Sequence, residues 1–237
     1  MQRLADILFP PHCLSCEEMI EAARGLCPTC WAQTPFIVDP PCEACGRPLV
    51  GDAEAGDLCN DCYATPRPWS RGRAALLYEG NGRSIVLKLK HGDRTDLARV
   101  AGDWLAQASR DLAQSNPIVA PVPLHWLRML KRKYNQSALL ADRVASVLGL
   151  EYCADLLIRS SATRSLDGLS REHRRETVSG AIRVNPKRTL AVEGRHVLLI
   201  DDVMTTGATL EECATLCKSA GAADVSIAIL ARVAGET

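Results

Sequence analysis

The apolar and polar positions divide the chain into two unlike stretches. From Gly72 onward, apolar runs alternate with amphipathic ones, the pattern of strands exchanging with helices. Ala74–Tyr78 predicts a strand and Ser84–Leu89 a helix. Leu97, Val100, Trp104, Leu105, Ala108 and Leu112 recur at helical spacing and predict a second helix over 97–112. Ile118–Pro121 predicts a short strand. Gln136–Leu148 predicts a helix with Leu139, Leu140, Val144 and Val147 on one side, ended by Gly149. Val197–Ile200 is a continuous apolar run, as expected of a strand covered on both faces of a parallel sheet. Thr209–Ala220 predicts a helix closed by Gly221, and Asp224–Ala231 a final strand. Strands alternating with helices in this order imply an α/β fold with a mostly parallel sheet.

Residues 1–66 lack that periodicity and are rich in Cys and Pro. So short a stretch cannot bury enough apolar surface by itself and needs a staple. The segment Ala64-Thr-Pro-Arg-Pro-Trp69 reads as a linker, because two prolines in three residues break any element. The expected division is a cysteine-rich module at 1–66 and a larger domain at 67–237.

Composition sharpens this picture. The 237 residues are 47% hydrophobic and 24% charged, enough for a sizeable core and ordinary for a folded chain. Lys+Arg number 28 and Asp+Glu 28, so global charge points to no nucleic-acid or membrane partner, and such binding would need local patches. No apolar run approaches a membrane span, and the N-terminus lacks the longer apolar run of a signal peptide. The expectation is a cytoplasmic protein with no membrane insertion.

Eight of the 11 cysteines fall between Cys13 and Cys62, in the pairs Cys13-x-x-Cys16, Cys27-x-x-Cys30, Cys42-x-x-Cys45 and Cys59-x-x-Cys62. Two residues between cysteines let both thiolates reach one ion, and two such turns complete a closed tetrahedral shell. Without a secretory signal, metal is favoured over disulfides or redox pairs. The spacing suggests one Zn2+ on Cys13, Cys16, Cys27 and Cys30 and another on Cys42, Cys45, Cys59 and Cys62. A cross-braced pairing, first turn with third and second with fourth, stays open. His12 beside Cys13 is surplus to a four-thiolate shell. Cys213 and Cys217, one helical turn apart, read as core residues.

The most specific stretch is Val197-Leu-Leu-Ile-Asp-Asp-Val-Met-Thr-Thr-Gly-Ala-Thr209. Two carboxylates follow a buried strand at its C-terminal end, where open α/β sheets place their ligands. A small hydroxyl-rich loop and a helix start come next. Loop N–H groups, the helix N-terminus and the hydroxyls of Thr205, Thr206 and Thr209 suit an anion, and Gly207 lets the backbone approach it. Carboxylates accept hydrogen bonds from vicinal diols, so the whole suits a phosphorylated ribose. It is neither a Walker A loop nor a three-glycine dinucleotide fingerprint. Asp-Asp as a helix cap and Thr-Thr-Gly as an ordinary turn are the bland alternatives.

This stretch resembles the phosphoribosyl pyrophosphate signature of type I phosphoribosyltransferases. The resemblance implies that Asp201 and Asp202 hold the ribose hydroxyls and are the catalytic-site carboxylates. It also implies that Thr205, Thr206, Gly207, Ala208 and Thr209 hold the 5′-phosphate, and that Mg2+ accompanies the ligand. The chain as a whole resembles the ComF family of competence-associated proteins, in which a double zinc ribbon precedes this transferase fold. Leu8-Phe9-Pro10 before the first CxxC, Val122-Pro123-Leu124, and Arg132-Lys133-Tyr134-Asn135-Gln136 carry the likeness. The family usually has glycine where this chain has Lys133. By position, Arg128, Lys131, Arg132 and Lys133 are candidates for a pyrophosphate loop, a solvated helix face being the alternative. Thr163–Ala181, with Arg164, Arg171, Arg174 and Arg175, sits where the family's mobile active-site loop lies; it has Leu166 where Gln is common and Thr177 where Asn is. Lys88 and Lys90 also look family-like, although solvated lysines at a helix end are the better expectation.

Three functions follow. The chain transfers phosphoribose to an unknown nitrogen acceptor; or it is a non-catalytic module sensing phosphoribosyl pyrophosphate or binding single-stranded DNA, alongside competence-machinery proteins; or it is a structural zinc adaptor, against which the intact phosphate loop argues.

Overall fold

The computed structural model describes residues 11–20, 25–38, 40–91, 95–124, 134–159 and 180–234. The cysteine-rich region contains two short helices, α1 (Pro28–Ala32) and α2 (Asn60–Ala64), each opening at the second CxxC of its cluster. The larger region runs β1 (Arg71–Leu77), α3 (Gly80–His91), α4 (Thr95–Ala108), a 3-10 turn (Arg110–Ser115), β2 (Ile118–Pro121) and α5 (Gln136–Leu148). It continues with β3 (Leu157–Arg159), β4 (Ile182–Val184), a one-turn helix α6 (Thr189–Val192), β5 (His196–Met204), α7 (Ala208–Ser219) and β6 (Asp224–Arg232). The expected strands and helices are all present. The 97–112 helix is broken at Ser109, where its hydroxyl back-bonds to Leu105 and the chain tightens into the 3-10 turn. The β3–β4 antiparallel pair was not anticipated, because three-residue strands carry too little periodicity.

The main sheet is all parallel in the order β1-β6-β5-β2. Helices α3, α4 and α5 cover one face through Leu89, Leu97, Leu105, Leu140 and Val144, which meet Leu198, Ile200, Ala228 and Leu230 of the sheet. On the other face, Val197, Leu199, Val225, Ile227 and Ile229 pack with α7, with the β3–β4 pair and with Cys42, Cys45, Cys59 and Cys62. Among the described residues no helix is long and apolar enough to cross a membrane.

The cysteine-rich region is seated on the sheet rather than tethered to it. Gly72 donates its backbone N–H to the Glu43 carbonyl at 2.7 Å, and a side chain at Gly72 would collide with the Ala44 carbonyl. Arg71 and Arg73 converge on Glu43 and Asp111, a four-membered ion cluster across the seam. The first cysteine cluster rests on α3, where Lys88 reaches the Ser15 carbonyl at 2.5 Å and Asn81 reaches the Cys30 carbonyl at 3.1 Å. Trp31 and Phe36 pack against each other and meet Trp104 of α4 edge to face. Beyond Ala64, which ends α2, the expected linker forms no helix or strand, as its prolines require, yet it is packed. Trp69 is buried and donates its indole N–H to the Ala44 carbonyl at 2.6 Å.

Candidate functional site

The site begins with β5. Val197–Ile200 is fully buried between β6 and β2, which fixes the strand at the middle of the sheet. β2 ends against Ile200, with one last bond from Val122 N–H to the Ile200 carbonyl at 2.9 Å. β5 runs four residues further beside β6 alone, so Asp201 and Asp202 stand at the mouth of a crevice at the C-terminal edge.

The two carboxylates face different partners. Asp201 Oδ1 accepts from Ser137 Oγ at 2.9 Å and from the Asp202 backbone N–H at 2.9 Å. Asn135 caps α5, its side chain accepting from the Ser137 N–H and donating to the Val122 carbonyl, which brings Ser137 to the crevice. Asp202 is buried and pairs with Lys90 of α3, Nζ to Oδ1 at 3.3 Å. Burial, then the neighbouring charge of Asp202, pushes the Asp201 carboxyl up to about 7; Ser137 and Lys90 oppose that rise.

The loop after β5 turns at Gly207, whose φ of +89° suits glycine alone. A Cβ there would stand 2.7 Å from Met204 Cε, 3.4 Å from Arg67 Nη1 and 3.5 Å from the Trp69 ring. Thr205 is exposed, and the Thr206 hydroxyl is buried without a hydrogen-bond partner. No side chain caps α7, so its first-turn N–H groups face the loop mouth uncapped. The structure therefore brings together Asp201, Asp202, Thr205, Thr206, Gly207, Ala208 and Thr209, all from one strand–loop–helix unit. Arg128, Lys131, Arg132 and Lys133 lie outside the described residues, as do Arg164, Arg171, Arg174 and Arg175.

Lys88 and Lys90 correct an expectation. Neither is a solvated helix end: Lys88 holds the first cysteine cluster and Lys90 neutralises Asp202. Ser137 and Arg67 were also unanticipated. Arg67 Nη1 donates to the Thr206 carbonyl at 3.1 Å and forms a buried ion pair with Glu211 of α7. Glu211 in the first turn of an amphipathic helix was the one sequence signal for such a pair.

The cysteines form two clusters of four, Cys13/Cys16/Cys27/Cys30 and Cys42/Cys45/Cys59/Cys62, with each cluster's sulfurs within 4.8 Å of one another. The pairing is sequential, not cross-braced. Cys16 and Cys27 sulfurs are 3.8 Å apart and Cys45 and Cys59 sulfurs 3.7 Å apart. Four sulfurs at ~2.3 Å from a tetrahedral Zn2+ stand ~3.8 Å from each other, so both clusters fit that ion. Backbone N–H groups of Cys27 and Cys59 donate to Cys13 and Cys42 sulfurs at 3.2 Å, as suits thiolates. His12 is exposed and belongs to neither cluster.

Comparison with known proteins agrees with both halves. A family model described as "Double zinc ribbon domain" matches residues 4–63, and one described as "Phosphoribosyl transferase domain" matches residues 93–237. The "DNA utilization protein YhgH" of Salmonella typhimurium is 30% identical, over 95% of this chain and 99% of its own length. The "Competence protein F" of Haemophilus influenzae is 27% identical, over 94% and 98%. The "Competence protein ComFC" of Bacillus subtilis is 26% identical, over 90% and 87%. Among solved structures, the glutamine phosphoribosylpyrophosphate amidotransferase of B. subtilis aligns with 60% of this chain and 30% of its own at 22% identity, with a TM-score of 0.41, too low to bear on function. With a double zinc ribbon joined to a phosphoribosyl transferase domain, and with relatives that align over nearly their whole length, this chain belongs to the ComF family of competence-associated phosphoribosyltransferase-like proteins.

Proposed function

We propose that this chain binds phosphoribosyl pyrophosphate with Mg2+ at the C-terminal edge of β5 and transfers phosphoribose to a nitrogen acceptor, releasing pyrophosphate. One observation carries the reading: two buried-edge carboxylates stand directly before a loop whose Thr206 hydroxyl and helix N-terminus are unsatisfied. A ribose 5-phosphate matches that pairing of acceptors and donors. Asp201 and Asp202 receive the ribose hydroxyls; residues 205–209 receive the phosphate. The donor set at the carboxylates is oxygen alone, which suits Mg2+, and leaves most of its shell to the ligand's own oxygens. When bound, Mg2+ supplies charge neutralisation on the leaving pyrophosphate. Lys90 pairs with Asp202 and holds it in place, and Ser137 orients Asp201 by donating its hydroxyl to Oδ1. Calorimetric titration of the zinc-loaded protein with phosphoribosyl pyrophosphate and Mg2+ tests the reading. Binding that is lost in the Asp201→Ala/Asp202→Ala double variant supports it, and an acceptor screen by pyrophosphate release then follows. No binding to folded wild type refutes it.

A second reading, a single-stranded DNA module, draws on the relatives' names and on Trp31 and Tyr63, aromatic side chains exposed by 52% and 81% on the cysteine-rich region. Aromatic faces stack bases, and oligonucleotide binding should then weaken steeply with salt and fall in Tyr63→Ala.

A further inference from the structure

The loop after β5 is held by two buried arginines that are distant from each other in sequence. Arg232 closes β6 and is 2% exposed. Its Nη1 donates to the carbonyls of Met204 at 3.1 Å, Thr205 at 2.8 Å and Val233 at 2.7 Å. The Val233 N–H adds a second bond to the Met204 carbonyl at 3.0 Å. Arg67 comes from the strap that leads out of the cysteine-rich region. Its Nη1 donates to the next carbonyl along the loop, that of Thr206, at 3.1 Å. Arg67 is itself fixed on two sides. Its ion pair with Glu211 ties it to the first turn of α7, and its guanidinium lies 5.7 Å from the centre of the Trp69 ring.

Three consecutive carbonyls are thus each turned toward a buried guanidinium, and this fixes more than the carbonyls. A trans peptide is planar, and its C=O points opposite to the N–H of the following residue. Holding the carbonyls of Met204, Thr205 and Thr206 therefore turns the N–H groups of Thr205, Thr206 and Gly207 away from the arginines. Successive N–H groups turned outward in this way form an anion-binding concavity. Among the described residues, neither the Thr206 N–H nor the Gly207 N–H is taken up by a backbone carbonyl. The Thr206 hydroxyl, likewise without a hydrogen-bond partner, adds a donor at the same place.

We propose that Arg67 and Arg232 are positioning residues of the anion site: by holding the carbonyls of residues 204–206 they aim the N–H groups of Thr205, Thr206 and Gly207 at a bound phosphate. Each arginine governs the amide that follows the carbonyl it holds. Arg232 sets Thr205 and Thr206, and Arg67 sets Gly207. The anion site is therefore completed by a side chain from before β1, outside the strand–loop–helix unit that carries the site itself. That the anion is the 5′-phosphate of a phosphoribosyl ligand rests on the reading above; the orientation of the peptides does not.

The probe is inorganic phosphate, added to the full, zinc-loaded chain and followed through backbone amide shifts by NMR. In wild type the amides of Thr205, Thr206 and Gly207 should move together with those of the first turn of α7. Arg67→Met frees the Thr206 carbonyl. It should lower phosphate affinity about tenfold, the scale of one charge-assisted hydrogen bond. It should also remove the Gly207 response while Thr205 and Thr206, still held by Arg232, keep moving. Arg67→Lys keeps a donor and the charge facing Glu211, and should restore the Gly207 response. An arginine that served stability alone would change all of these amides alike or none of them. Either result overturns the proposal, as does a lysine variant no better than methionine, or a wild type whose 205–207 amides ignore phosphate. Should Arg67→Met not fold, Arg67→Gln takes its place with the same expected loss, its side chain being too short to reach Thr206. Phosphoribosyl pyrophosphate with Mg2+ is then titrated into the same samples. A wild type that takes phosphate at these amides but ignores phosphoribosyl pyrophosphate sinks the proposed function and leaves the positioning role standing. One that binds both ligands, each as tightly in Arg67→Met, sinks the positioning role alone.

Discussion

Replacing Asp201 by asparagine removes a charge that the fold resists. Burial and the adjacent Asp202 push this carboxyl to about 7 from an ordinary value of 3.8. At about 1.36 kcal/mol for each tenfold in proton affinity, that difference amounts to roughly 4 kcal/mol. Asp201 keeps some exposure at the crevice mouth, so about 2 kcal/mol is the working expectation. The sign follows from linkage. The folded chain binds this proton more tightly than the unfolded chain, so stability falls as pH rises from about 4 to about 7, and the cost is complete above that. Asparagine keeps the oxygen that accepts from Ser137 and from the Asp202 N–H, and cannot ionise. Asp201→Asn should therefore match wild type at pH 4.5 and exceed it at pH 8, by roughly 4–8 °C in melting temperature for a chain of this size. Calorimetric melting of zinc-loaded, ligand-free protein across pH 4.5–8 reads this directly. A variant no more stable than wild type at pH 8, or one whose advantage is the same at both ends, would refute the reasoning. The same variant should lose affinity for phosphoribosyl pyrophosphate, so stability and binding move in opposite directions, as expected where a site stores unfavourable charge.

Lys90→Met removes the cation facing Asp202 and should move the pH window of that stability loss upward; a profile that stays in place or moves down would contradict the Lys90 assignment. Gly207→Ala places a methyl against Met204 and strains a φ of +89°, and should cost about 1–3 kcal/mol in denaturant melts and abolish ligand binding by calorimetry. Gly72→Ala drives a methyl into the Ala44 carbonyl and should cost at least about 1–3 kcal/mol, with faster proteolysis of the cysteine-rich region. Stripping both metal ions with a strong chelator should expose Trp69, seen as a red shift in tryptophan emission, because its indole is anchored on Ala44 between Cys42 and Cys45.

What could be read from the sequence is what is contiguous in it. Val197–Ile200, the two aspartates, the hydroxyl loop and the following helix lie on one unbroken segment, so their order along the chain is also their order in space. The same holds for each CxxC turn, since two thiolates on one tight turn must point to one ion. What the tertiary structure decided is which segments meet. Ser137 lies 64 residues from Asp201, and Arg67 lies 144 from Glu211. Periodicity tells which side of its own helix a residue occupies, not which strand end that side will face. Lys90 looked solvated because its helix ends there, yet α3 packs across the sheet and brings it to Asp202. Pro66 and Pro68 correctly excluded a helix or strand around Arg67, but only the stacking of the second cysteine cluster on the sheet turned that segment into a buried strap. Local chemistry is written along the chain; the counter-charges that make it work come from distant segments, brought together by burial of a shared core.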